Sequence, residues 1–482
     1  RRRSRRRAVI APDGVTLLDV LVHVRAANDD PLFLDVDGAV LMTYADAAAR
    51  SAQLAHALRA GGVRPGDRVA MQVEKSIESI MVYLACIRSG SVLLPMNTGY
   101  TADEVAHLVA DAVPADVLDD GALAALGKQA DAMPRAFEDH QSEPGDLAAL
   151  LYTSGTTGRP KGAMLSHRNL ASNCVTLAAL WGFTHDDVLL HALPTFHTHG
   201  LFVATNCALI AGAPMVWMQR FDAAPVARVL PRCTVMMGVP TFYTRLLADD
   251  AFTVDVCASM RLFVSGSAPL LASVHESFTA RTGHAILERY GMTETTMLTS
   301  NPLDGERRPG TVGFALPGVD VRIADGLDVG GIEVRGPNVF AGYWNRPDLT
   351  ASEFTDDGFF RTGDIGTFDG DGYLHIVGRS KDLIITGGLN VYPKEVEAVL
   401  DELPGVMESA VVGVPDADFG EAVVAVVVGR AELDVDAVRA ACRAHLAPFK
   451  VPKRVHVVDA LPRNAMGKVE KAVLRRTYSA ES

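Results

Sequence analysis

The chain has 482 residues, with 45 lysines and arginines against 58 aspartates and glutamates, and 48% of it is hydrophobic. That length exceeds one ordinary core, so two or more domains are expected, and the composition is that of a folded globular protein rather than a disordered or fibrous one. A net charge of −13 excludes a general nucleic-acid binder, yet leaves room for a local basic site that takes a polyanionic small molecule.

Residues 1–12 are read as an arginine-rich tail with no acid before Asp13 and no apolar run of the secretory kind. A transit remnant, a mis-set start and a solvated tail all account for it. From Arg68 the pattern alternates. Arg68–Val73 reads as a buried strand, Ser76–Gly90 as an amphipathic helix closed by glycine, and Ser91–Pro95 as the next strand. Thr101 and Glu104 form a capping box for a helix over 101–112, and a short strand follows at 114–118. Leu147–Leu151 is a buried strand that runs into YTSGTTGRPKG, Tyr152–Gly162.

In that segment Gly155 and Gly158 let backbone N–H groups turn toward an anion, Thr153, Ser154, Thr156 and Thr157 add donors, and Lys161 adds charge. It is not a Walker A loop, because Pro160 precedes Lys161 and Gly162 follows it, so the hydroxyl that would hold Mg²⁺ after the lysine is missing. A metal ligand must come from elsewhere.

Strands return at 214–218, 234–239 and 261–266. Leu201–Met218 is uncharged, but Asn206, Gly212 and Pro214 interrupt it, so a buried helix followed by a core strand is expected rather than a membrane span. Such alternation implies an α/β fold: a large N-terminal domain of doubly wound sheets. After about Gly313, short strands and Gly/Pro turns suggest a β-rich subdomain. Beyond Arg379–Asp382, a helix–strand–strand–helix–strand pattern reads as a small α+β C-terminal domain. The expected domains are 13–379 and 380–482. Cys86, Cys174, Cys207, Cys233, Cys257 and Cys442 lack C-x-x-C spacing and read as buried thiols of a reducing compartment.

Further segments carry chemistry. Phe196–Gly200 offers an aromatic and two imidazoles, His197 and His199, each as readily structural as functional. Ser265–Leu270, with Ser265 and Ser267, places small residues after a strand, where a ligand can approach backbone. ERYGMTET, Glu288–Thr295, supplies Tyr290 to stack on a base, a turn at Gly291 with Thr293, and Glu294 as the missing Mg²⁺ ligand. Asp364 suits two ribose hydroxyls. Arg379 and Lys468 stand among turn residues.

In number and order these segments resemble the acyl-adenylate-forming superfamily of AMP-dependent synthetases and ligases, over essentially the whole chain after the tail. HALPTFHTHGLFVATN, MGVPTFYTRLL, LFVSGSAPL, LERYGMTET and GLNVYPKEVE resemble the malonyl-CoA synthetases in particular. Val319–Gly331 is shorter than the family's strand–turn–strand, which implies a trimmed surface hairpin.

The resemblance implies ATP, Mg²⁺ and CoA and two half-reactions, adenylation of a carboxylate and transfer to a thiol. It implies that Lys468 bridges carboxylate and α-phosphate, that Glu294 and Thr153 steer the pyrophosphate, and that a mobile C-terminal domain rotates about Lys381 to bring in Gly387–Gly388. It also implies a gate at Phe196–His199.

Arg289 and Arg245 select the acid. An unpaired arginine is too costly in the wall of a fatty pocket, whereas the distal carboxylate of a dicarboxylate supplies its partner, with Ser265 and Ser267 orienting it. Pairing of each arginine with an internal acid such as Glu288 is the competing reading. Malonate is the expected acid, with methylmalonate open. A carrier-protein pantetheine or an amine is the alternative acceptor, and the chain's having no fused carrier domain favours free CoA. A catalytically dead nucleotide-binding regulator is the reading from another class. Neither nucleic acid, membrane insertion nor an obligatory protein partner is expected. The cytoplasm is the expected location, with the mitochondrial matrix as the alternative.

Overall fold

The computed structural model describes residues 14–22, 29–153, 160–416, 418–429, 433–464 and 468–479. The chain divides into two compact units, Arg1–Val321 with Val334–Phe360, and Arg322–Glu333 with Arg361–Ser482.

The first unit is built on two α/β sheets. The five-stranded sheet runs in the order Asp116–Leu118, Arg68–Met71, Val92–Pro95, Leu147–Thr153, Lys161–Ser166. Its strands are parallel except for the last pair, a hairpin that places Thr153 opposite Lys161. The nine-stranded sheet runs Phe314–Ala315, Thr296–Ser300, Leu287–Met292, Leu262–Ser265, Val235–Gly238, Leu189–His191, Met215–Trp217, Pro31–Leu34, Val40–Thr43. Five neighbours, from Leu287–Met292 to Met215–Trp217, are parallel, so their carboxyl ends open along one edge.

Local chemistry fixes the helices between them. Thr101 and Glu104 make the expected capping box, and Ser76 with Ser79 makes another at the helix Ile77–Ser89, which Gly90 ends in the left-handed region at φ 74°. The uncharged stretch becomes a π-helical turn, His199–Thr205, then the helix Asn206–Ala211 and the strand Met215–Trp217. Among the described residues, no helix is long and apolar enough to cross a membrane. The cysteines are free and buried, as expected.

Tyr243, Phe252, Phe263 and Phe278 form an aromatic core under the nine-stranded sheet. The ring of Tyr243 meets that of Phe278 edge-on at 5.4 Å, and its hydroxyl donates to the Val264 carbonyl at 2.6 Å. Each such ring contributes roughly 1.5–3 kcal/mol by burial. Together they pin the helix Pro240–Leu247 against the strand that ends at Ser265.

The second unit contains a sheet in the order Leu389–Val391, Ile384–Thr386, Gly420–Gly429, Val406–Asp416, with Arg454–Val458 parallel to Gly420–Gly429. The run AVVAVVV is buried on both faces. Val423, Ala425 and Val427 meet the helices Pro393–Asp401 and Val435–His445, while Ala422, Val424 and Val426 meet the helix Lys471–Ser479. That double burial explains why its hydrophobic pattern is continuous rather than alternating.

His167, first residue of the helix His167–Leu180, is buried, and its Nδ1 has no partner among the described residues. Burial pushes its pKa from 6.5 down to about 4. The unfolded chain therefore binds the extra proton between these values, and stability contributed by neutral His167 is full above pH 6.5 and lost as pH falls toward 4. His167→Gln should remove about 2 kcal/mol from the stability lost between pH 7 and pH 5, measured by denaturant titration at both pH values. An unchanged loss would contradict a buried neutral imidazole.

Candidate active site

The phosphate-binding candidates Ser154, Gly155, Thr156, Thr157 and Gly158 lie outside the described residues. The hairpin stem that carries them is well defined. Tyr152 pairs with Gly162 and Thr153 with Lys161. The Tyr152 hydroxyl donates to Asp111 at 2.6 Å, and the Trp344 indole donates to the Asp111 carbonyl at 3.1 Å. A Cβ on Gly162 would lie 3.2 Å from the Tyr152 ring and 3.3 Å from Trp344, so a glycine is what lets the stem pack.

Tyr343 joins the charged groups above that stem. Its hydroxyl donates to Glu294 Oε1 at 3.0 Å, and the Lys161 ammonium stands 4.8 Å from its ring centroid. Lys161 also pairs with Glu353 at 3.7 Å, and the Thr153 hydroxyl donates to Glu294 Oε1 at 3.4 Å. Thr153, Lys161 and Glu294, chosen from the sequence, are thus brought together by a tyrosine that was not. Its segment, FAGYW, falls in the stretch after Gly313 whose pattern gives only short strands and Gly/Pro turns.

Gly291 is not at a turn. It lies in the strand Leu287–Met292, where a Cβ would come within 1.9 Å of the Thr296 carbonyl oxygen, and the reversal falls at 293–295. Close backbone approach, rather than turn chemistry, accounts for the glycine. Tyr290 is buried in that strand opposite Thr299, while Thr293 is half-buried at the reversal.

A second cluster forms at the carboxyl ends of neighbouring strands. Arg289 is 3% exposed, and its Nε and Nη2 have no partner among the described residues. Successive side chains on a strand point to opposite faces. Glu288 accordingly accepts from the Gly310 N–H at 3.3 Å, which overturns pairing of Arg289 with Glu288.

The guanidinium lies over Gly266, where a Cβ would sit 2.3 Å from Arg289 Cζ. Ser265 Oγ, Thr198 Oγ1 and His199 Nε2 are likewise buried and unpartnered among the described residues. Ser267, held at φ 71°, faces His199 Nδ1 at 3.4 Å. His197 Nδ1 accepts from the His199 N–H at 3.3 Å. Burial, then the charge of Arg289, holds the pKa of His199 well below the ordinary range, so the ring is neutral. Arg289, pushed down to about 9 by burial, stays charged at neutral pH.

Arg245 does not share this burial. Tyr243 and Leu246 turn the helix Pro240–Leu247 toward the core, and Arg245 falls on its exposed side. The cost argument for an unpaired charge therefore applies to Arg289 alone.

The remaining candidates lie in the second unit. Asp364 and Arg379 face each other across paired strands, 3.0 Å apart. Lys381 follows in a short 3₁₀ turn, Ser380–Asp382, and Gly387 and Gly388 make a two-residue hairpin turn at φ 57° and 76°. The N–H of Lys468 donates to Asn464 Oδ1 and its carbonyl accepts from the Asn464 N–H, both at 3.0 Å. Arg463 pairs with Glu408, and Lys471 with Glu397.

Residues 22–344 match the model of the AMP-binding enzyme family, and 395–468 match that of the AMP-binding enzyme C-terminal domain. The chain belongs to the AMP-binding enzyme family. It is 38% identical to a feruloyl-CoA synthase of Amycolatopsis sp, over 92% of this chain and 95% of that protein. It is 36% identical to the human mitochondrial malonate–CoA ligase ACSF3, over 90% and 88%. The ATP-bound crystal structure of MatB from Rhodopseudomonas palustris is 51% identical with a TM-score of 0.92, over 96% of this chain and 99% of that one.

In this AMP-binding enzyme the buried Glu294 carboxylate accepts from the Tyr343 hydroxyl as well as from Thr153. Tyr343→Phe should cost about 1–3 kcal/mol of stability. Denaturant titration reads this directly, and an unchanged midpoint would show that the bond contributes nothing.

Proposed function

We propose that the acid activated by this acid–CoA ligase is malonate. The single observation that carries the reading is the buried, charged Arg289, whose Nε and Nη2 lack partners beside the equally unpartnered Ser265, Thr198 and His199. An ammonium- or guanidinium-sized charge left without a counter-charge in a dry site is strongly destabilising. A planar fork of donors suits a carboxylate that comes with the substrate. A three-carbon dicarboxylate offers one carboxylate to Arg289 and the other to ATP. Methylmalonate adds one methyl, a difference of only about 1–3 kcal/mol in an apolar wall, so we include it as a poorer substrate.

In the first half-reaction a malonate carboxylate oxygen attacks the α-phosphorus of ATP and pyrophosphate leaves. Charge grows on phosphate oxygens, and the proposed contributions are Lys161 from the hairpin stem, Lys468 from the small domain, and Tyr290 and Asp364 at base and ribose. In the second, the CoA thiol attacks the acyl carbonyl and AMP leaves. We assign the exchange of Lys468 for the Gly387–Gly388 turn to rotation of residues 380–482 about Lys381.

Glu294 and Thr153 provide an oxygen-only donor set, and among the described residues no group of three His, Cys, Asp or Glu could hold a metal by itself. That set fits Mg²⁺, which takes few protein ligands and completes its shell with phosphates and water. When bound, it would neutralise pyrophosphate charge. We place the enzyme in the cytoplasm, with the mitochondrial matrix as the second reading because its human relative is named mitochondrial.

Arg289→Ala should lower kcat/KM for malonate by about 10²–10³-fold while leaving ATP affinity within about twofold, as expected for a desolvated charge–carboxylate contact. Steady-state kinetics with ATP and malonate varied separately reads both. Wild-type malonate kinetics in Arg289→Ala would remove the reading.

A further inference from the structure

The first unit contains a second buried cation that none of the chemistry above uses. Lys75 follows the strand Arg68–Met71 and precedes Ser76, the cap of Ile77–Ser89, so its backbone belongs to the five-stranded sheet's layer. Its ammonium reaches into the other sheet. It is 6% exposed and makes contacts of 2.9 Å to His191 Nδ1, 2.8 Å to the His191 carbonyl and 2.7 Å to the Met218 carbonyl. The same nitrogen stands 4.2 Å from the Trp217 ring centroid. His191 Nε2 lies 3.0 Å from the Gly200 carbonyl and 3.1 Å from Thr205 Oγ1, and the Thr205 hydroxyl donates to that carbonyl at 2.9 Å.

One proton arrangement satisfies all of these distances. Burial lowers the pKa of Lys75 well below its usual value, against which its nitrogen has three acceptors, two of them carbonyls, that use all three hydrogens of an ammonium. The imidazole Nδ1 must then accept, which leaves the proton on Nε2. Nε2–H faces the Gly200 carbonyl, whereas the opposite tautomer would set a nitrogen lone pair against that oxygen. Burial, then the Lys75 charge, holds the pKa of His191 far below its usual value, in keeping with a neutral ring.

Gly200 is the residue after His199, and the backbone packs closely there. A Cβ on it would lie 2.0 Å from the Pro194 carbonyl oxygen. The segment from Pro194 to Gly200 carries Thr198 and His199, and its two ends pack closely against each other.

We infer that Lys75 is a positioning residue for the acid pocket: its ammonium fixes the tautomer of His191, and His191 holds the Gly200 carbonyl and with it Thr198 and His199 beside Arg289. Lys75 touches no reacting atom. It sets the acid side of the site and leaves the nucleotide side alone. The inference rests on the acid pocket proposed above, although not on which acid fills it.

The test uses the full-length enzyme and the acid that the wild type turns over best. Lys75→Met removes the ammonium. His191→Asn keeps an acceptor for Lys75 but removes the donor to Gly200. Each should raise KM for the acid by about threefold to tenfold, the range of one or two lost hydrogen bonds, with KM for ATP within about twofold. Because both act through one chain of bonds, the double variant should be no worse than the more affected single variant.

Unchanged acid KM in His191→Asn would overturn the inference, as would effects that multiply in the double variant or an equal rise in both KM values. If Lys75→Met does not fold, His191→Asn decides alone. Failure of the malonate reading is seen separately, as malonate turnover that survives Arg289→Ala. Either result can occur without the other.

Discussion

A cation removed from water must find acceptors, and the first unit solves that problem twice in opposite ways. Lys75 is fully satisfied from within, by two carbonyls, an imidazole nitrogen and the face of Trp217. Arg289 is buried as deeply, yet its Nε and Nη2 have no acceptor among the described residues. Arg289 lies against Gly266, where no side chain can come between the guanidinium and the backbone. A fold that satisfies one buried charge so completely and leaves another without acceptors among the described residues is what the proposed reading requires, in which the second charge is met by an acid that brings its own negative charge.

The nucleotide side follows a different rule. There the charges are paired among themselves: Lys161 with Glu353 and the Tyr343 ring, Glu294 with Tyr343 and Thr153. In the second unit Asp364 pairs with Arg379. These contacts are individually weak or shared, and on the proposed reading phosphates and ribose exchange with them at modest cost. On that reading the acid side holds its donors ready, and the nucleotide side trades partners. Positioning by preset donors is the economical arrangement for a small acid, which has few atoms with which to reorganise a site.

Much of this was legible in the sequence because it is locally encoded. The capping box at Thr101, the glycine stop at Gly90, and the strands before Ser265 and Tyr152 follow from turn chemistry and hydrophobic runs, and the structure has them where expected. The expensive character of Arg289 could also be argued from residue type alone. What could not be read is which side of an element faces inward when the element is short. Arg245 and Arg289 look equivalent in sequence, but one turns outward on a helix whose apolar side is set by Tyr243 and Leu246. Gly291 was misjudged for a related reason, since a close contact between strands leaves no mark on a glycine that distinguishes it from a turn. Tyr343 and Lys75 were missed because their partners are distant in sequence, Glu294 49 residues from Tyr343 and His191 116 from Lys75, and Thr198 because nothing in the sequence marks a hydroxyl left unpartnered.

The central claim is that the acid carries a second negative charge into the pocket. It is tested most directly by pyrophosphate exchange into ATP without CoA, with malonate compared against acetate, methylmalonate, succinate and octanoate. The account predicts strong exchange with malonate, weaker exchange with methylmalonate, and little with acetate or octanoate. Exchange driven by acetate or octanoate in preference to malonate would contradict it, and would mean that Arg289 meets its counter-charge elsewhere in the catalytic cycle.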